Sequence, residues 1–300
     1  MSDGAVHVSH LYFKRRLTKQ EIAARLGISR FKVARLIDQA LGEGLVRIEI
    51  DEPIPLSEGL ARDLERAFGL ELALVVRAGG ELDPVDAAAR VAASWLPELL
   101  REGDVLGVAW GSTIQRVARA LVQAPAVPVV QICGQVAGVG SGEGPLELAW
   151  QFAERLGGPF YALPVPALVA SRAARDEMLA NGAVAPTVVM FDRVTFALVG
   201  VGSLEGEGRS SLLASGALGR DEVPAGAVGD LLVHLFDEDG RLVETPLGER
   251  AIQLPVDRLR RARVVAVAAG PGKARAIRGA LRTGLIDVVV TDQANATEAL

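Results

Sequence analysis

The sequence contains very few of the residues that make disulfides or metal sites. It has one cysteine, Cys133, and three histidines, of which only His7 and His10 lie close together in the chain. A lone cysteine has no partner for a disulfide or for a zinc site built on thiolates, and the scattered histidines supply no ligand set. We therefore expect no metal and no cofactor, and we expect Cys133 to be a buried small hydrophobe in the apolar run VPVVQIC.

Long hydrophobic runs are also missing. Half of the 300 residues are hydrophobic, but no uninterrupted apolar stretch approaches the roughly 20 residues that a membrane helix needs. The first ten residues, MSDGAVHVSH, lack the apolar centre of a secretory signal. The composition therefore predicts a cytoplasmic protein with no membrane partner, whose chain is long enough for a sizeable core and for more than one domain.

Lysine is scarce, and basic charge is unevenly distributed. The chain has only four lysines among its 32 basic residues, and three of these lysines lie in the N-terminal segment. From Val6 to Ile48 there are nine Lys or Arg residues against three Asp or Glu, although the whole chain has a net charge of −5. An acidic protein with one basic segment is typical of phosphate binding by a separate domain.

The basic segment contains the pattern of a helix-turn-helix. Within residues 17 to 46, Thr18 and Glu21 can form a capping box for a first short amphipathic helix, which Gly27 ends. Ser29 is the N-cap of a second helix, whose apolar residues follow helical spacing. Only Gly-Ile-Ser separates the helices, so we interpret the segment as a helix-turn-helix that docks on DNA. The alternative is a small helical bundle with a solvated basic face, and the local charge favours DNA binding.

Outward residues near the start of the second helix are expected to reach base edges in the major groove. Lys32 and Arg35 can donate to guanine or to phosphate, and Phe31 offers an apolar contact to a thymine methyl group. The Lys14-Arg15-Arg16 run on a preceding helix, residues 5 to 16, is expected along the phosphate backbone, although charge runs are often only solvated. The predicted DNA-binding residues are Thr18, Lys19, Gln20, Ser29, Arg30, Phe31, Lys32 and Arg35.

A wing and a linker are expected after these helices. Leu45 to Ile50 alternates as a short strand does, directly after a break at Gly42-Glu43-Gly44. Residues 51 to 58, DEPIPLSE, contain two prolines and no periodicity, so the domain boundary is placed there. We therefore predict a winged helix-turn-helix domain at residues 1–55 and a larger domain at residues 56–300, which carries a net charge of −7.

The larger domain shows alternating strand and helix patterns, which are typical of an α/β fold with a mostly parallel sheet. Seven β-branched runs have strand length: LALVV (72–76), VLGVAW (105–110), VPVVQIC (127–133), TFALVG (195–200), LLVHLF (231–236), ARVVAVAA (262–269) and IDVVVT (286–291). Amphipathic stretches lie between them at residues 86–100, 113–121, 146–156 and 274–281.

Four of the loops that follow these strands are rich in glycine. Ligands of parallel sheets bind beyond the carboxyl ends of the strands, and a strand that leads through a glycine loop into a helix offers backbone amides to an anion. One such loop is usually only a turn, whereas four together indicate a small phosphorylated or otherwise anionic ligand. The loops are Gly111-Ser112-Thr113, Gly134-Gln135 with the glycine-rich segment up to Gly144, Val201-Gly202-Ser203, and Gly270-Pro271-Gly272-Lys273.

Lys273 is the one lysine outside the basic segment, in a chain that otherwise uses arginine. Chance is the alternative explanation for this choice. However, a compact ammonium suits a tight phosphate or sugar pocket better than a guanidinium fork. We therefore predict that Lys273 binds the anionic ligand.

Several ordered motifs are shared with one known family. TKQEIAARLGISRFKVARLIDQALGEGLVRIEI, GVAWGSTIQRVARAL, VVQICG, YALPVPALV, ALVGVGSL, HLFDEDG and VVAVAAGPGKARAIRGALRTGLIDVVVTDQANA closely resemble the SorC family of bacterial transcriptional regulators, over nearly the whole chain. The resemblance implies a winged helix-turn-helix followed by a Rossmann-like, mostly parallel α/β domain related to the glucosamine-phosphate deaminase, ribose-phosphate isomerase and CoA-transferase folds. It also implies a sugar phosphate as effector.

The resemblance further implies which residues form the effector site. Its motifs place effector-binding residues at Gly111, Ser112, Thr113, Gln131, Gly134, Asp237, Arg250, Gly270, Lys273 and Asp292. The sequence departs from the family pattern at two points that affect the shape of the pocket. The double glycine after VVQ is Gly134-Gln135 here, and the glycine pair before the lysine is Ala269-Gly270.

These observations predict a DNA-binding transcriptional regulator whose affinity for double-stranded operator DNA is controlled by a phosphorylated sugar, with repression of a carbohydrate-metabolism operon favoured over activation. Helix-turn-helix proteins usually bind two half-sites as dimers, and the resemblance suggests tetramers. We therefore expect a homodimer or a homotetramer.

The rival interpretation is an active sugar-phosphate isomerase or deaminase fused to a DNA-binding domain. Such enzymes need an Asp, Glu or His as base. Asp237, Asp292 and Glu143 form no evident acid/base pair, and His234 lies inside a strand pattern, so we predict no catalytic residues. A purely structural module is a third interpretation, and it fits poorly with four glycine loops.

Overall fold

The chain forms two compact units, which span Met1–Pro53 and Ile54–Leu300. The computed structural model describes residues 3–46, 53–77, 82–122, 125–136, 144–205 and 210–300. The first unit is helical, and the second is a parallel α/β domain.

The second unit begins two residues before the boundary expected after residue 55. The cause is a set of backbone hydrogen bonds to the first strand of the large sheet. Ser57 N donates to Val75 O, and Arg77 N donates to Pro55 O. Residues just after Pro53 are therefore held by the larger unit and do not form a free linker.

The described residues of the first unit form four helical segments. They are α1 (Asp3–Ser9), a π-helical turn (His10–Lys14), α2 (Lys19–Leu26) and α3 (Arg30–Gly42). The apolar residues of these segments meet in a small core of Val8, Leu11, Ile22, Val33 and Ile37. Short helices are only marginally stable in isolation. The packing of this core therefore fixes the orientation of α2 relative to α3.

The turn between α2 and α3 has the predicted capping residues. Thr18 Oγ1 accepts a hydrogen bond from Glu21 N at 3.2 Å, and the Glu21 carboxylate accepts one from Thr18 N at 2.7 Å. Gly27 ends α2 with φ of 63°, and Ser29 caps α3 through Lys32 N. The predicted helix-turn-helix is therefore confirmed at the level of its helices.

The structure departs from the sequence-based expectation at the first helix. The helix expected over residues 5 to 16 begins at Asp3 and ends in the π-helical turn, and Arg16 beyond it has φ of 55°. A left-handed residue cannot continue a right-handed helix, so the chain turns there. Residues 47–50 of the expected wing strand lie outside the described residues, and the wing stays a prediction.

The second unit is built on a seven-stranded sheet in which every pair of neighbours is parallel. Its strands are β1 (Leu72–Val76), β2 (Leu106–Val108), β3 (Val129–Gln131), β4 (Phe160–Tyr161), β5 (Phe196–Gly200), β9 (Arg263–Val267) and β10 (Val288–Asp292). Their order in the sheet is β1-β10-β9-β5-β2-β3-β4. The predicted α/β fold with a mostly parallel sheet is confirmed.

A smaller antiparallel sheet contains one error of the sequence analysis. Its strands are β6 (Gly202–Ser203), β7 (Ala227–Leu231) and β8 (His234–Asp237). The run LLVHLF was expected to be one strand at 231–236, but Leu232 and Val233 form the turn between β7 and β8. Leu232 takes a φ of 58° there. The run LLVHLF contains no glycine or asparagine, the residues that usually indicate such a turn, so the prediction of a single strand was wrong.

Helices cover both faces of the large sheet. One face packs against α5 (Pro84–Leu99), α6 (Ser112–Ala120) and α7 (Pro145–Leu156), with Ile114 and Phe152 fully buried between them. The other face packs against a second core that includes Phe191, Phe236 and Ile277. The remaining helices are α4 (Glu58–Phe68), α8 (Arg172–Leu179), α9 (Ala185–Phe191), α10 (Ser211–Ala214), α11 (Pro246–Arg250), α12 (Val256–Leu259), α13 (Ala274–Arg282) and α14 (Gln293–Ala299).

Candidate functional site

Three of the four glycine loops meet at the carboxyl edge of the large sheet. Strands β2, β5 and β9 are neighbours in its centre, and β5 pairs with both of the others. They are followed by residues 109–113, 201–203 and 268–273. Because the strands are parallel, their loops open at the same edge.

These loops line one pocket, which we call the effector pocket. It contains four of the ten predicted effector-binding residues, namely Gly111, Ser112, Thr113 and Lys273. The residues that line it are Ala109, Trp110, Gly111, Ser112, Thr113, Gly200, Val201, Gly202, Ser211, Asp230, Leu232 and Lys273. The antiparallel sheet contributes Asp230 and Leu232, so the pocket lies between the two sheets.

The first loop presents the start of α6 to the pocket. Gly111 has φ of 132°, which an L side chain rarely adopts, and it occupies the N-cap position of α6 without a side-chain cap. The first backbone amides of a helix have no partner within that helix. Ser112 is exposed and Thr113 is buried, so the loop combines free amides with hydroxyl groups at the positive end of a helix dipole.

Lys273 lies at the N-cap position of α13, and its side chain is directed toward the β5 loop. Lys273 Nζ donates a hydrogen bond to Val201 O at 2.9 Å. Burial lowers the pKa of this ammonium, while the carboxylates of Asp230 and Asp292 act in the opposite direction. One carbonyl leaves two ammonium protons for other acceptors, so Lys273 can bind an anion without leaving its position.

Asp230 on β7 is the main site residue that the sequence analysis missed. It is buried, and its Oδ1 atom has no hydrogen-bond partner among the described residues. Burial raises the pKa of the Asp230 carboxyl to about 6, while Ser210 and Lys273 act to lower it. Buried carboxylates are normally paired, so a buried carboxylate with an unpaired oxygen, in a residue that lines a pocket, is a candidate functional group.

Two further features surround Asp230. Gly202 has no room for a side chain, because a Cβ there would collide with the Asp230 carboxylate. Leu232 lines the pocket with its positive φ, and strain of this kind concentrates at ligand sites. A lone Asp before the apolar run LLVHLF was the available sequence signal, since a charged residue in a buried segment is unusual.

Gln131 and Gly134 do not line the pocket. Gln131 Nε2 donates to Cys133 O, and its Oε1 accepts from Leu163 N at 2.9 Å. Gly134 lies against the backbone of Pro166, at a distance that leaves no space for a Cβ. Both residues fix the loop after β3, of which residues 137–143 lie outside the described residues.

Gly270 and Asp292 shape the loop that carries Lys273. Asp292 accepts hydrogen bonds from Gly270 N at 2.8 Å and from Asn295 N at 3.0 Å. Asn295 Nδ2 also donates to Asp292 Oδ2 and to Gly270 O. The Asp292 carboxylate is thus occupied by its own neighbours, and it acts on the pocket through its charge on Lys273.

Asp237 and Arg250 are the remaining predicted effector-binding residues, and neither lines the pocket. Asp237 accepts a hydrogen bond from Arg241 N at 2.8 Å and closes the loop after β8. Arg250 ends α11, and its carbonyl accepts from Val169 N. The structure thus brings four predicted residues into the pocket and leaves six outside it.

A second depression lies near the ends of α6 and α7. It is lined by Leu121, Val122, Ala126 and residues 154–157. Helix C-termini expose carbonyl groups and carry partial negative charge. Its arginine, Arg155, already donates to Leu121 O at 2.9 Å. This depression therefore suits an anion far less well than the effector pocket.

The predicted DNA-binding residues lie mostly on the exposed side of α2 and α3. Phe31 is 88% exposed, which is exceptional for a large apolar side chain. Thr18, Gln20, Ser29, Arg30, Lys32 and Arg35 are also exposed, and Lys19 is half-buried with Nζ 5.7 Å from the centre of the Tyr12 ring. An exposed aromatic residue among cations on a helix of this kind fits a surface that a nucleic acid covers.

The described part of the chain contains neither a candidate metal site nor a candidate membrane span. No group of three or more His, Cys, Asp or Glu residues there could hold a metal ion. No helix there is both long and apolar enough to cross a membrane.

Comparison with known families identifies the larger unit. The family model described as "Putative sugar-binding domain" matches residues 54–300. This match begins at the first residue of the second structural unit.

Comparison with individual proteins extends the similarity to the whole chain. The erythritol catabolism regulatory protein EryD of Brucella abortus is 29% identical, covering 97% of this chain and 94% of that protein. The sorbitol operon regulator of Klebsiella pneumoniae is 28% identical, covering 97% and 95%. The crystal structure of that full-length regulator, SorC, matches with a TM-score of 0.74 at 27% identity, covering 99% of this chain and 98% of that one. The chain therefore belongs to the sugar-binding-domain family and is a transcriptional regulator of the SorC family.

Proposed function

We propose that the protein represses a carbohydrate-metabolism operon, and that a phosphorylated sugar in the effector pocket controls its affinity for operator DNA. The observation that carries this proposal is the meeting of Lys273 with the uncapped start of α6 in one pocket. A helix N-terminus attracts anions through its amides and its dipole, and Lys273 adds a full positive charge. Lys273 and the start of α6 are far apart in the sequence, and both line the same pocket.

The rest of the pocket fits a polyhydroxylated ligand. Ser112, Thr113 and Ser211 contribute hydroxyl groups that can both donate and accept hydrogen bonds. Trp110 and Leu232 contribute apolar surface. Most of the accessible wall of the pocket is nevertheless polar, which suits a ligand that carries several hydroxyl groups.

The names of the relatives support the class of effector. The proteins most similar in sequence include an erythritol catabolism regulatory protein, a sorbitol operon regulator and a deoxyribonucleoside regulator. Each name refers to a small polyhydroxylated compound or to a sugar derivative. A phosphorylated member of this class would fit the anion site described above.

The DNA-binding role rests on the exposed face of α3. Phe31, Lys32 and Arg35 are exposed near the start of this helix, where recognition helices contact base edges. Two half-sites one helical turn apart require a two-fold symmetric protein, so we propose that the regulator acts as a homodimer or a homotetramer. Light scattering of the purified full-length protein would measure this state.

The experiment that tests the proposed function measures effector binding and DNA binding on the same protein. A thermal-shift screen would compare phosphorylated three- to six-carbon sugars and polyols with their unphosphorylated counterparts. A ligand at a hundred times its dissociation constant should stabilise the protein by about 2.7 kcal/mol. The same ligand should then change the affinity for DNA upstream of the regulator's own gene, since effector and DNA binding are coupled reciprocally.

Two results would contradict the proposal. One is a set of sugar phosphates that neither shift the melting temperature nor alter DNA binding. The other is conversion of a sugar phosphate into product, which would favour the isomerase or deaminase interpretation. Incubation of the protein with each ligand, followed by analysis of the products, separates this outcome from simple binding.

A further inference from the structure

The side of α3 that faces away from the core of the first unit carries an unusual pair of residues. The buried residues of α3 are Val33, Ile37 and Ala40. Because about 3.6 residues make one turn, Phe31 and Arg35 lie on the opposite side of the helix, and both are exposed. Phe31 is 88% exposed, more than any other large apolar side chain in the described part of the chain. Residues four apart are neighbours on a helix, so this side presents an aromatic ring next to a guanidinium group.

The charges around Phe31 indicate which partner covers the ring. Arg30 and Lys32 are its neighbours in the chain, and both are exposed. Successive helical residues are rotated by about 100°, so the two cations lie on either side of the ring. A symmetric contact with a second copy of this chain would bring these like charges together. In the major groove of DNA, by contrast, the cations would face phosphates and the ring would face base edges.

A phenylalanine ring can recognise only one kind of group on the edges of base pairs. It has no hydrogen-bond donor or acceptor, and the major groove presents a single apolar group, the 5-methyl group of thymine. In 5-methylcytosine a methyl group occupies the equivalent ring position. Loss of one methyl group from an apolar contact should lower the affinity about fourfold, which corresponds to about 0.8 kcal/mol.

Arg35 restricts where this methyl group lies. Four residues of an α-helix rise about 6 Å along its axis, and successive base pairs are about 3.4 Å apart. For a helix that lies along the groove, Phe31 and Arg35 therefore reach base pairs that are no more than about two steps apart. Arg35 is expected to bind guanine through two hydrogen bonds, so the methyl group lies within about two base pairs of that guanine.

We propose that Phe31 and Arg35 act together, so that each operator half-site presents a pyrimidine 5-methyl group within about two base pairs of the guanine that Arg35 binds. Thymine and 5-methylcytosine are both accepted at this position, and uracil and unmodified cytosine are both bound more weakly than their methylated counterparts. Operator affinity therefore responds to cytosine methylation at this position. This inference rests on the DNA-binding role of α3 and specifies the chemistry of the operator.

Matched duplexes that differ by one methyl group test the proposal. Selection from a random-sequence DNA library with the full-length protein first supplies the preferred site. Each thymine of this site is then replaced in turn by uracil, and fluorescence anisotropy should show a loss of about fourfold at one position per half-site. At that position a duplex with 5-methylcytosine opposite guanine should also bind about fourfold more tightly than the same duplex with cytosine.

Variants assign the methyl dependence to Phe31. Phe31→Ala should bind the thymine and uracil sites with affinities equal to within about 1.5-fold, whereas Phe31→Leu should keep part of the difference because leucine is also apolar. Leu41→Ala is the matched control, since it shortens another exposed apolar side chain of α3 and should leave the methyl dependence unchanged. Arg35→Ala should keep the uracil effect but lose the preference for a guanine within about two base pairs of it.

Three results would overturn the proposal. One is a preferred site in which no replacement of thymine by uracil lowers the affinity. Another is a uracil effect that persists unchanged in a folded Phe31→Ala protein. The third is a responsive thymine that lies more than about two base pairs from the guanine affected by Arg35→Ala. Failure of the selection to enrich any site would instead contradict the DNA-binding role of α3 itself, and methyl recognition with it.

Discussion

At the scale of single residues, replacement of Lys273 is expected to have the largest effect on the affinity for the effector. Its ammonium is held by Val201 O at the edge of the pocket and keeps protons for a phosphate. Lys273→Met preserves most of the side-chain volume but removes the charge. We expect a loss of about 1.5 to 3 kcal/mol in effector binding, or roughly tenfold to a hundredfold in affinity, while operator binding without effector survives.

Calorimetry with the sugar phosphate that gives the largest thermal shift measures this loss. Lys14→Met is the matched control, because it removes the same charge from an exposed residue of the other unit. The prediction is contradicted if Lys273→Met binds every sugar phosphate as tightly as the wild type does while Ser112→Ala binds more weakly. The anion would then be bound by the loop Gly111-Ser112-Thr113 without Lys273.

Arg35 is the residue expected to read the operator sequence. It is exposed one turn into α3, where a bidentate contact to guanine is worth about 1 to 3 kcal/mol. Arg35→Ala should therefore weaken binding to the native operator far more than binding to random DNA. Fluorescence anisotropy with both DNAs measures the two affinities.

Arg15→Ala provides the contrast to Arg35→Ala. Arg15 lies just after the π-helical turn and is exposed, so it is expected to contact phosphate only. Its loss should lower affinity for both DNAs equally and reduce the salt dependence by about one unit of slope. An equal loss on both DNAs for Arg35→Ala would instead place Arg35 on the backbone.

At the scale of elements, the β7–β8 hairpin carries two titratable groups with opposite pH behaviour. The Asp230 pKa is raised from 3.8 to about 6 by burial, so its stabilising contribution is present below pH 3.8 and is lost as the pH rises through 6. The His234 pKa is lowered by burial, although a hydrogen bond to Leu254 O opposes this. The contribution of His234 is therefore present above pH 6.5 and is lost as the pH falls.

Replacement of Asp230 distinguishes its contribution to the pH dependence of stability from that of His234. Asp230→Asn should raise the free energy of unfolding at pH 7.5 by up to about 3 kcal/mol, since each unit of pKa shift corresponds to roughly 1.4 kcal/mol. The gain should decline as the pH falls and approach zero only below pH 3.8, where Asp230 is mostly neutral in both the folded and the unfolded wild-type protein. Urea denaturation at pH 4, 5, 6 and 7.5 measures it, with the exposed Asp239→Asn as control. A gain that does not change with pH would exclude ionisation as its cause.

The three loops of the effector pocket depend on the elements that flank them. Asp292 caps α14 and also accepts from Gly270 N, so the last strand and helix hold the loop of Lys273 in place. Gln131 likewise ties β3 to Leu163 N. Gly270, Asp292 and Gln131, which the family resemblance also assigns to the pocket, thus contact neighbouring loops in this chain, whereas Gly111, Ser112, Thr113 and Lys273 line the pocket.

At the scale of the whole molecule, the two units should separate without loss of effector binding. The hydrogen bonds that hold residues 55–57 to β1 belong to the second unit, so a fragment of residues 54–300 should fold and bind the effector without affinity for DNA. Circular dichroism and calorimetry on the fragment measure both properties.

A shorter fragment of residues 58–300 is the matched comparison. It loses the backbone hydrogen bonds of Ser57 and Pro55 to β1, and we expect it to melt at a lower temperature. Aggregation of the longer fragment, or loss of its effector binding, would show that the units depend on each other.

Much of this architecture is determined by residues that are close together in the sequence. The capping box of Thr18 and Glu21, the N-cap at Ser29 and the β-branched runs of the parallel sheet all act over a few residues. Their structures were therefore predicted correctly from local spacing. The two glycine loops that reach the pocket with Gly111 and Lys273 were also visible, because a strand, a glycine and a helix start follow one another in the chain.

The tertiary structure alone decided which polar groups line the effector pocket. Asp230 is distant in sequence from both Gly111 and Lys273, and only the packing of the β7–β8 hairpin against the sheet brings it into the pocket. The family motifs that contain Asp237 and Arg250 resemble the family as closely as the motif of Lys273 does. In the structure, however, Asp237 and Arg250 form hydrogen bonds outside the effector pocket. The reason is physical: burial and the absence of a hydrogen-bond partner depend on every neighbour in space, whereas local sequence specifies only the neighbours along the chain.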